Sequence, residues 1–503
     1  MPNALLVYPK VPLSYWGMQY AMEFLGKKST MPPLGLLTIA GLFPEEYELR
    51  LVDMNVRPLT QQDLEWADVV FVSSMAIQQE SLRDVIQQCN NMDVPIIAGG
   101  PYPTLSYDEI KGVNYFILGE CEEIFLNFLE IESKRSFRGN GIYGSVDARP
   151  NIDNTPIPRF ELINFDDYDV MPLQWCRGCH HNCEFCLIGE LNGRKYRTKS
   201  IDRMIAEFQY LYDLGWRGPV FIVDDNFIGH KQKVMHFLYT LVYWQNKHKH
   251  PFSLYTEAST KLADSNDLMT LMVDAGFYMV FLGIETPNQA ALNKIGKYQN
   301  LKHEDPDFLL KVVRKIQRKG LEVNAGFILG LDSDTEEIFD LLIDFIQKSG
   351  IAVAMVGFLN VPKRTRMYDR MFAEGRILGQ SLGDNVSLDL NYIPEMDPKI
   401  LISGYKRVQA MIYPPNLWNY FRRVLTMFCH VGPNKSSKVH IGKPELRAFR
   451  KSIKYQLFNK KQGLAYLLFL LIVLVRFPWR LDQAIRFAII GYHHEKVTSN
   501  LDH

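Results

Sequence analysis

No G-x-G-x-x-G opens the first helical stretch of this chain, which excludes an ordinary nicotinamide or flavin fingerprint. Net charge is also missing. The 56 Lys and Arg balance 56 Asp and Glu, so no global field favours nucleic acid. The start, "MPNALLVYPK", has no basic n-region and no cleavage site, and reads as a first strand rather than a signal peptide. The expected compartment is the reducing cytoplasm, where cysteines stay as thiols. The apolar run "LAYLLFLLIVLV", Leu464 to Val475, is too short to span a bilayer, which takes roughly 20 residues. Cysteine is scarce, with seven in 503 residues, yet four of them fall between Cys176 and Cys186.

What is present is the composition of a folded protein, 47% hydrophobic and 22% charged. The length implies two or three domains. Residues 1–140 alternate apolar runs with helical patterns. "ALLVYP", "YELRLVDMN", "ADVVFVSSM", "VPIIAGGP" and "YFILGE" are continuous apolar segments, as parallel strands covered on both faces should be. Four of them end in loop chemistry: Asp53 and Asn55, Ser73 and Ser74, Gly99 and Gly100, Gly119 and Glu120. In an open parallel sheet these ends form the ligand edge. The expectation for 1–140 is a Rossmann-like, doubly wound α/β domain.

Residues 141–160 include a proline-rich stretch without periodicity and read as a linker. A second α/β series fills 161–368. Its strand candidates are "MPLQWCRG", "PVFIVDDN", "FSLYTEAS", "MVFLGIET", "EVNAGFILG" and "AVAMVGFLNV". Six βα units fall short of a closed eight-stranded barrel, so a partial (β/α)6 barrel is expected. Asp224, Asp225, Asn226, Glu257, Ser259, Glu285, Thr286 and Asn360 stand at its strand ends, where a barrel keeps its chemistry. In the helix "DTEEIFDLLIDFIQKSG", Thr335 is the expected cap and Ile338, Leu341, Leu342 and Phe345 the buried stripe. Residues 369–503 form a mainly helical extension. From Lys435 to Arg480 it holds 11 Lys or Arg and one acid, Glu445, around the Leu464–Val475 run. Two readings suit that segment: a buried helix with a solvated basic flank, or a helix lying in a membrane interface.

The loop "WCRGCHHNCEFC" spaces its thiols as Cys176-x2-Cys179-x3-Cys183-x2-Cys186. Four thiolates in one tight loop would give a strained zinc knuckle, whereas structural zinc usually takes two separated pairs. Thiolates also hold [4Fe–4S] clusters. If the inner three alone are ligands, one iron stays open, and an open position marks a catalytic metal. Phe185 offers an aromatic face inside the loop. Cys89, Cys121 and Cys429 are scattered and read as structural thiols.

"CRGCHHNCEFC" resembles the C-x3-C-x2-C loop of the radical S-adenosylmethionine superfamily. The chain order resembles the branch in which a cobalamin-binding domain precedes the barrel. "MPPLGLLTIAGLFPEEYELRLVDMNV" and "AGGPYPT" resemble that domain; "GRKYRTKS", "FIVDDNFIGHK", "FLGIETP" and "AGFILGLDSDT" resemble the barrel. "FAIIGYHHEKVTSN" resembles the C-terminal extension of a subgroup that includes hopanoid methylases. The resemblance implies that Cys179, Cys183 and Cys186 hold [4Fe–4S], that Phe185, Glu257 and Glu285 bind S-adenosylmethionine, and that Asp53, Ser73, Ser74, Gly99, Gly100 and Gly119 line the cobalamin. It names no catalytic residue. It implies methyl transfer to an unactivated carbon of a small molecule, lipid-like by first expectation, with electrons from a donor such as flavodoxin or ferredoxin. The same cofactors also serve ring-forming or rearranging reactions. A non-catalytic metal protein would instead use all four thiols. A methylthiotransferase would need a second cysteine trio in the first domain, which has only Cys89 and Cys121. Two departures stand out. Cys176 occupies a position where relatives commonly carry Ser. The D-x-H-x-x-G motif is absent, and no His occurs before His180, so no histidine of the first domain can ligate cobalt.

Overall fold

A computed structural model describes residues 2–302, 305–384, 386–434 and 443–500, the side chains of 443–445 excepted. Two six-stranded sheets organise it, and both are parallel throughout. The first runs β2-β1-β3-β4-β5-β6, with β1 Asn3–Tyr8, β2 Glu48–Asp53, β3 Val69–Ser73, β4 Ile96–Gly99, β5 Tyr115–Leu118 and β6 Gly141–Gly144. Alternate residues feed separate cores on its two faces. Leu5, Val7, Val70 and Val72 join one; Ala4, Leu6, Val69 and Phe71 join the other. That double burial is why the strands lack polar alternation. The five expected strands are present. The sixth lies past residue 140, so the sheet extends into the stretch read as linker. Its half-exposed "GIYG" has no apolar run to announce it.

The second sheet runs β14-β13-β12-β11-β10-β7, with β7 Met171–Leu173, β10 Pro219–Ile222, β11 Ser253–Ala258, β12 Phe277–Glu285, β13 Glu322–Leu329 and β14 Ala354–Phe358. Sequential order with helical crossovers makes this the expected partial barrel. A short hairpin, β8 Cys176–Arg177 against β9 Arg197–Thr198, frames the thiol loop. Along β11, Leu254, Thr256 and Ala258 are buried while Ser253, Tyr255 and Glu257 are half-buried. Along β13, Val323, Ala325, Phe327 and Leu329 are buried while Asn324, Gly326 and Ile328 are not. With a side-chain period of two, the half-buried set lines the concave lumen.

The helix Glu337–Ser349 departs from expectation at two points. Thr335 does not cap it, because Glu336 occupies the cap position in helical conformation with no side-chain bond. Leu341 is exposed, and the buried stripe is Ile338, Phe339, Leu342 and Ile346. The extension is helical, with its longest helices at Pro398–Ile412, Trp418–His430, Gly463–Arg476 and Leu481–Ser499. It packs against the barrel. The buried Arg423 guanidinium donates to the carbonyls of Ala352 and Ile412 and lies 5.2 and 5.3 Å from the ring centres of Tyr413 and Tyr420.

Candidate active site

The thiol loop is gripped by all three parts of the chain. From the first sheet, the loop after β5 sends in Glu120 and Glu122. Arg177, two residues before Cys179, pairs with both at 2.7 Å. Arg197 Nη1 donates to Glu120 at 2.9 Å and to the Pro150 carbonyl. From the barrel, Asp225 accepts from the Gly178 N–H at 3.1 Å and from Asn192 at 2.9 Å. From the extension, Arg370 makes two bonds to Glu184, at 2.8 and 3.2 Å, and one to Asp332. Gly178 has φ +95°, and a Cβ there would lie 2.3 Å from the Lys195 carbonyl, so only glycine lets the loop enter.

Cys179, Cys183 and Cys186 sit within one another's fields in this loop. Burial, with Cys183 close by, pushes the Cys186 thiol up to about 12 and raises Cys179. Such thiols are held as thiolates only when a cation binds them. Lys297 is their nearby positive charge. Burial opposes its ionisation, but Glu285 at 2.6 Å and the thiols outweigh it and hold its pKa above the ordinary lysine value. Gln299 Nε2 lies 3.8 Å from Cys183 Sγ. Three thiols on one loop are the donor chemistry that an iron–sulfur cluster takes, although among the described residues no three His, Cys, Asp or Glu side chains are drawn together as a preformed metal site.

Cys176 is placed differently. It is fully buried on β8, and its N–H donates to Asp224 at 2.9 Å. Burial and the Asp224 carboxylate push its thiol well up. It belongs to the barrel wall. Asp224 also accepts from the Trp175 N–H at 2.8 Å, and burial raises its carboxyl to about 7. The native state therefore holds a proton that the unfolded chain releases near pH 4, and this group's contribution to stability falls as pH rises from 4 to 7. Asp224→Asn keeps the two accepted bonds. The thermal midpoint of the variant is expected to fall less than that of wild type between pH 5.5 and 8; an equal fall in both would remove Asp224 as the cause.

Glu257 and Glu285 stand at the ends of adjacent strands. Burial, followed by Asp225 and Glu285, raises the Glu257 carboxyl to about 7. Glu257 is half-buried. Glu285 has φ +65° at a register break in β12, and this turns its carboxylate onto Lys297. The space is provided by Gly283, whose Cβ would lie 2.8 Å from Lys297 Nζ. Glu257 thus lies in the combined field of Asp225, Glu285 and Asp224, with Lys297, paired to Glu285, as the opposing charge, a setting that suits a cationic ligand such as a sulfonium. Phe185 packs its ring into the small apolar cluster with Ala291, Ile295 and Tyr392, and the Lys297 ammonium lies 5.9 Å from its centre.

At the edge of the first sheet the strand order reverses between β1 and β3, the crevice where open α/β sheets take ligands. Ser73 and Ser74 stand there. Ser74 is buried, and its Oγ has no partner among the described residues, an orphan that a bound ligand can satisfy. Gly100 has φ +86°, and a Cβ would lie 2.3 Å from Ser73 Oγ. The added Cβ at Gly99 and Gly119 would meet the Ile117 and Ser145 carbonyls. Gly100 and Gly119 are thus required by the protein's own packing, whereas at Gly99 the contact, 3.3 Å, is only tight. Asp53 is saturated: its carboxylate accepts from Asn55 N and Nδ2 at 2.9 and 2.7 Å and from Tyr168 OH at 3.1 Å, and so ties the first domain to the segment before β7.

Sequence reasoning missed the lumen's aromatic lining. Phe221 and Tyr255 stack at 4.6 Å, and Tyr278 meets Tyr255 edge-on at 6.0 Å. Trp16, from the loop after β1, meets Phe281 at 4.9 Å. That loop is held by the extension: His493 Nε2 bonds the Ser14 carbonyl at 3.1 Å, and His494 lies against Tyr15 and stacks on Tyr413. Burial pushes His493 down to about 4 and His494 further down, so both stay neutral. Arg177 was visible beside the thiols in the sequence. Lys297 carried no pattern.

A three-thiol loop at the mouth of a partial barrel, facing the ligand edge of a doubly wound domain, defines a class: radical S-adenosylmethionine proteins with a cobalamin-binding domain. Residues 27–129 match the B12 binding domain, 173–346 the Radical SAM superfamily, and 365–503 a domain of unknown function, DUF4070. The chain is 38% identical to the "Uncharacterized methyltransferase sll1242" of Synechocystis sp., covering 86% of this chain and 80% of that one. It is 33% identical to the "Hopanoid C-2 methylase" of Rhodopseudomonas palustris, over 82% and 77%. In fold it is similar to the cobalamin-dependent radical enzyme OxsB, with TM-score 0.63, 12% identity and coverage of 100% and 80%. It is also similar to the methyltransferase TsrM of Kitasatospora setae, with TM-score 0.59, 14% identity and coverage of 98% and 99%. The chain belongs to the cobalamin-dependent radical S-adenosylmethionine methyltransferases, in the branch that carries the DUF4070 extension. Its cofactors are [4Fe–4S], S-adenosylmethionine and cobalamin.

Proposed function

We propose that the enzyme methylates an unactivated carbon of an apolar, polycyclic lipid-like molecule bound in the barrel lumen, working at the inner face of a membrane with electrons from a flavodoxin or ferredoxin. The observation that carries this reading is the lumen lining of Trp16, Phe221, Tyr255, Tyr278 and Phe281, broad apolar surfaces that suit flat hydrocarbon rings. The hopanoid methylase relative supports it.

When bound, the three cofactors supply the radical and methyl-transfer chemistry. Cys179, Cys183 and Cys186 hold the cluster, and Cys176 does not take part. Glu257 and Glu285 bind the cationic and hydroxyl groups of S-adenosylmethionine, while Lys297 is placed for its carboxylate. Phe185 anchors the loop beside it. Ser73 and Ser74 meet the cobalamin, and Gly99, Gly100 and Gly119 set the backbone of that edge. Trp16 shields the lumen from water on the side of the first domain.

The test is anaerobic reconstitution with the three cofactors, a reductant and total cell lipid, followed by mass analysis. The expected product is a polycyclic lipid heavier by one methylene. Cleavage of S-adenosylmethionine with a cyclised or rearranged product and no added carbon would favour the ring-forming alternative and overturn this reading.

A further inference from the structure

We infer that the helix Gly463–Arg476 and its flanks form a docking face for an anionic lipid bilayer. This helix is apolar all round, which is unusual at a protein surface. One side is spent on the protein: Ala465, Tyr466, Phe469 and Val473 are buried, and Phe469 stacks on Phe421 at 4.5 Å. The opposite side is open. Leu464, Leu467, Leu468, Leu471, Leu474 and Val475 are exposed, at 74, 42, 40, 48, 49 and 82%. Their spacing of three and four residues makes one continuous stripe.

Large aromatics mark both ends of the stripe, Phe458 at 77% and Trp479 at 71% exposed. Aromatic side chains favour the boundary between hydrocarbon and headgroups. Exposed basic residues stand beside them: Lys454, Lys460 and Lys461 before the helix and Arg476 at its end. Among the described residues none of these four makes an ion pair, so their charge is available to a polyanionic surface. The helix is about 21 Å long, short of a hydrocarbon core of roughly 30 Å. Among the described residues no helix is long and apolar enough to cross a membrane. The geometry fits a helix lying flat with its apolar side in the headgroup boundary.

One basic residue drops out of the sequence-based expectation. Arg480 is buried, with Nη1 on Gln483 at 3.0 Å, Nη2 on the Val431 carbonyl and its guanidinium over Phe428. It braces the fold and faces no lipid. Lys435 and Lys438 lie outside the described residues, and the side chains of Lys443 and Glu445 are not described.

The inference is independent of the substrate, because the test reads binding and not turnover. The full chain is floated with vesicles of phosphatidylcholine alone or with phosphatidylglycerol, at low and high salt. Binding should require phosphatidylglycerol and weaken with salt. Lys460→Gln, Lys461→Gln and Arg476→Gln together should lower binding by at least about tenfold. Leu467→Gln with Leu471→Gln should do the same, and Leu341→Gln, an exposed leucine elsewhere, should not. Unchanged iron content and circular dichroism confirm folding. Failure to float, or equal binding by the Leu467/Leu471 variant, overturns the inference. So does a lipid-free dimer that this variant dissociates, since the face would then belong to a second copy of the chain.

Discussion

Cys179→Ala, Cys183→Ala and Cys186→Ala are each expected to abolish the iron–sulfur absorption and all cleavage of S-adenosylmethionine, while Cys176→Ser keeps both. The first three sit in the loop that Arg177, Asp225 and Arg370 hold at the barrel mouth. Cys176 is fixed in β8 by its backbone bond to Asp224, and its thiol is enclosed beside that carboxylate. To reach a cluster it would have to leave the hairpin with Thr198 and uncover a buried carboxylate. Serine is close in size and can meet Asp224 as a donor, so Cys176→Ser should change stability by only about 1–2 kcal/mol. Iron content and absorption of the anaerobically reconstituted variants decide the matter. Loss of iron in Cys176→Ser as complete as in the other three would mean four-thiol ligation and no open iron.

Glu120→Ala should be the most damaging single change outside the thiols. It leaves Arg177 and Arg197 largely buried with their principal shared anion gone. Removing one partner of a buried ion pair costs about 3–5 kcal/mol, because the other charge stays uncompensated. The bond also joins the cobalamin domain to the cluster loop, so the loss reaches function. The variant is expected to show a lowered thermal midpoint and weaker cobalamin retention. Glu120→Gln, which keeps an acceptor, should show less of both. Lys134→Ala with Glu130→Ala removes an exposed pair and should change stability by less than about 1 kcal/mol. If Glu120→Ala behaves like that surface control, the network does not couple the domains.

Most of the architecture was legible because buried parallel strands leave an unbroken apolar signature. Of the twelve strands in the two large sheets eleven fall in segments visible in the sequence, and the twelfth, β6, is an edge strand with two glycines and little to bury. The position of the carboxylates was legible too, since charge at the end of an apolar strand has few inexpensive places to go. Their roles were not. Asp53, Asp224 and Asp225 look alike in sequence, each a strand-end acid. Asp53 is consumed by Asn55 and Tyr168, Asp224 by the backbone of Trp175 and Cys176, and Asp225 by the loop at Gly178. Glu257 and Glu285 remain at the lumen. Arg480 and Arg476 look equally basic in sequence, yet one is internal and the other external.

The sequence by itself determined the two α/β series, the order of the parts, the thiol spacing and the apolar run at Leu464–Val475. These are local patterns, set by side-chain period, by turn residues and by spacing within a few positions. The tertiary structure decided which side chains share a site: Glu120 with Arg177, Arg370 with Glu184, Lys297 with Glu285, Trp16 with Phe281, and the side of the 463–476 helix that faces outward. Each of these pairings joins residues from separate elements, at separations no local pattern encodes. They arise only when the packing of two sheets and a helical extension fixes which surfaces meet, and burial then makes each unpaired charge or ring too costly to leave alone.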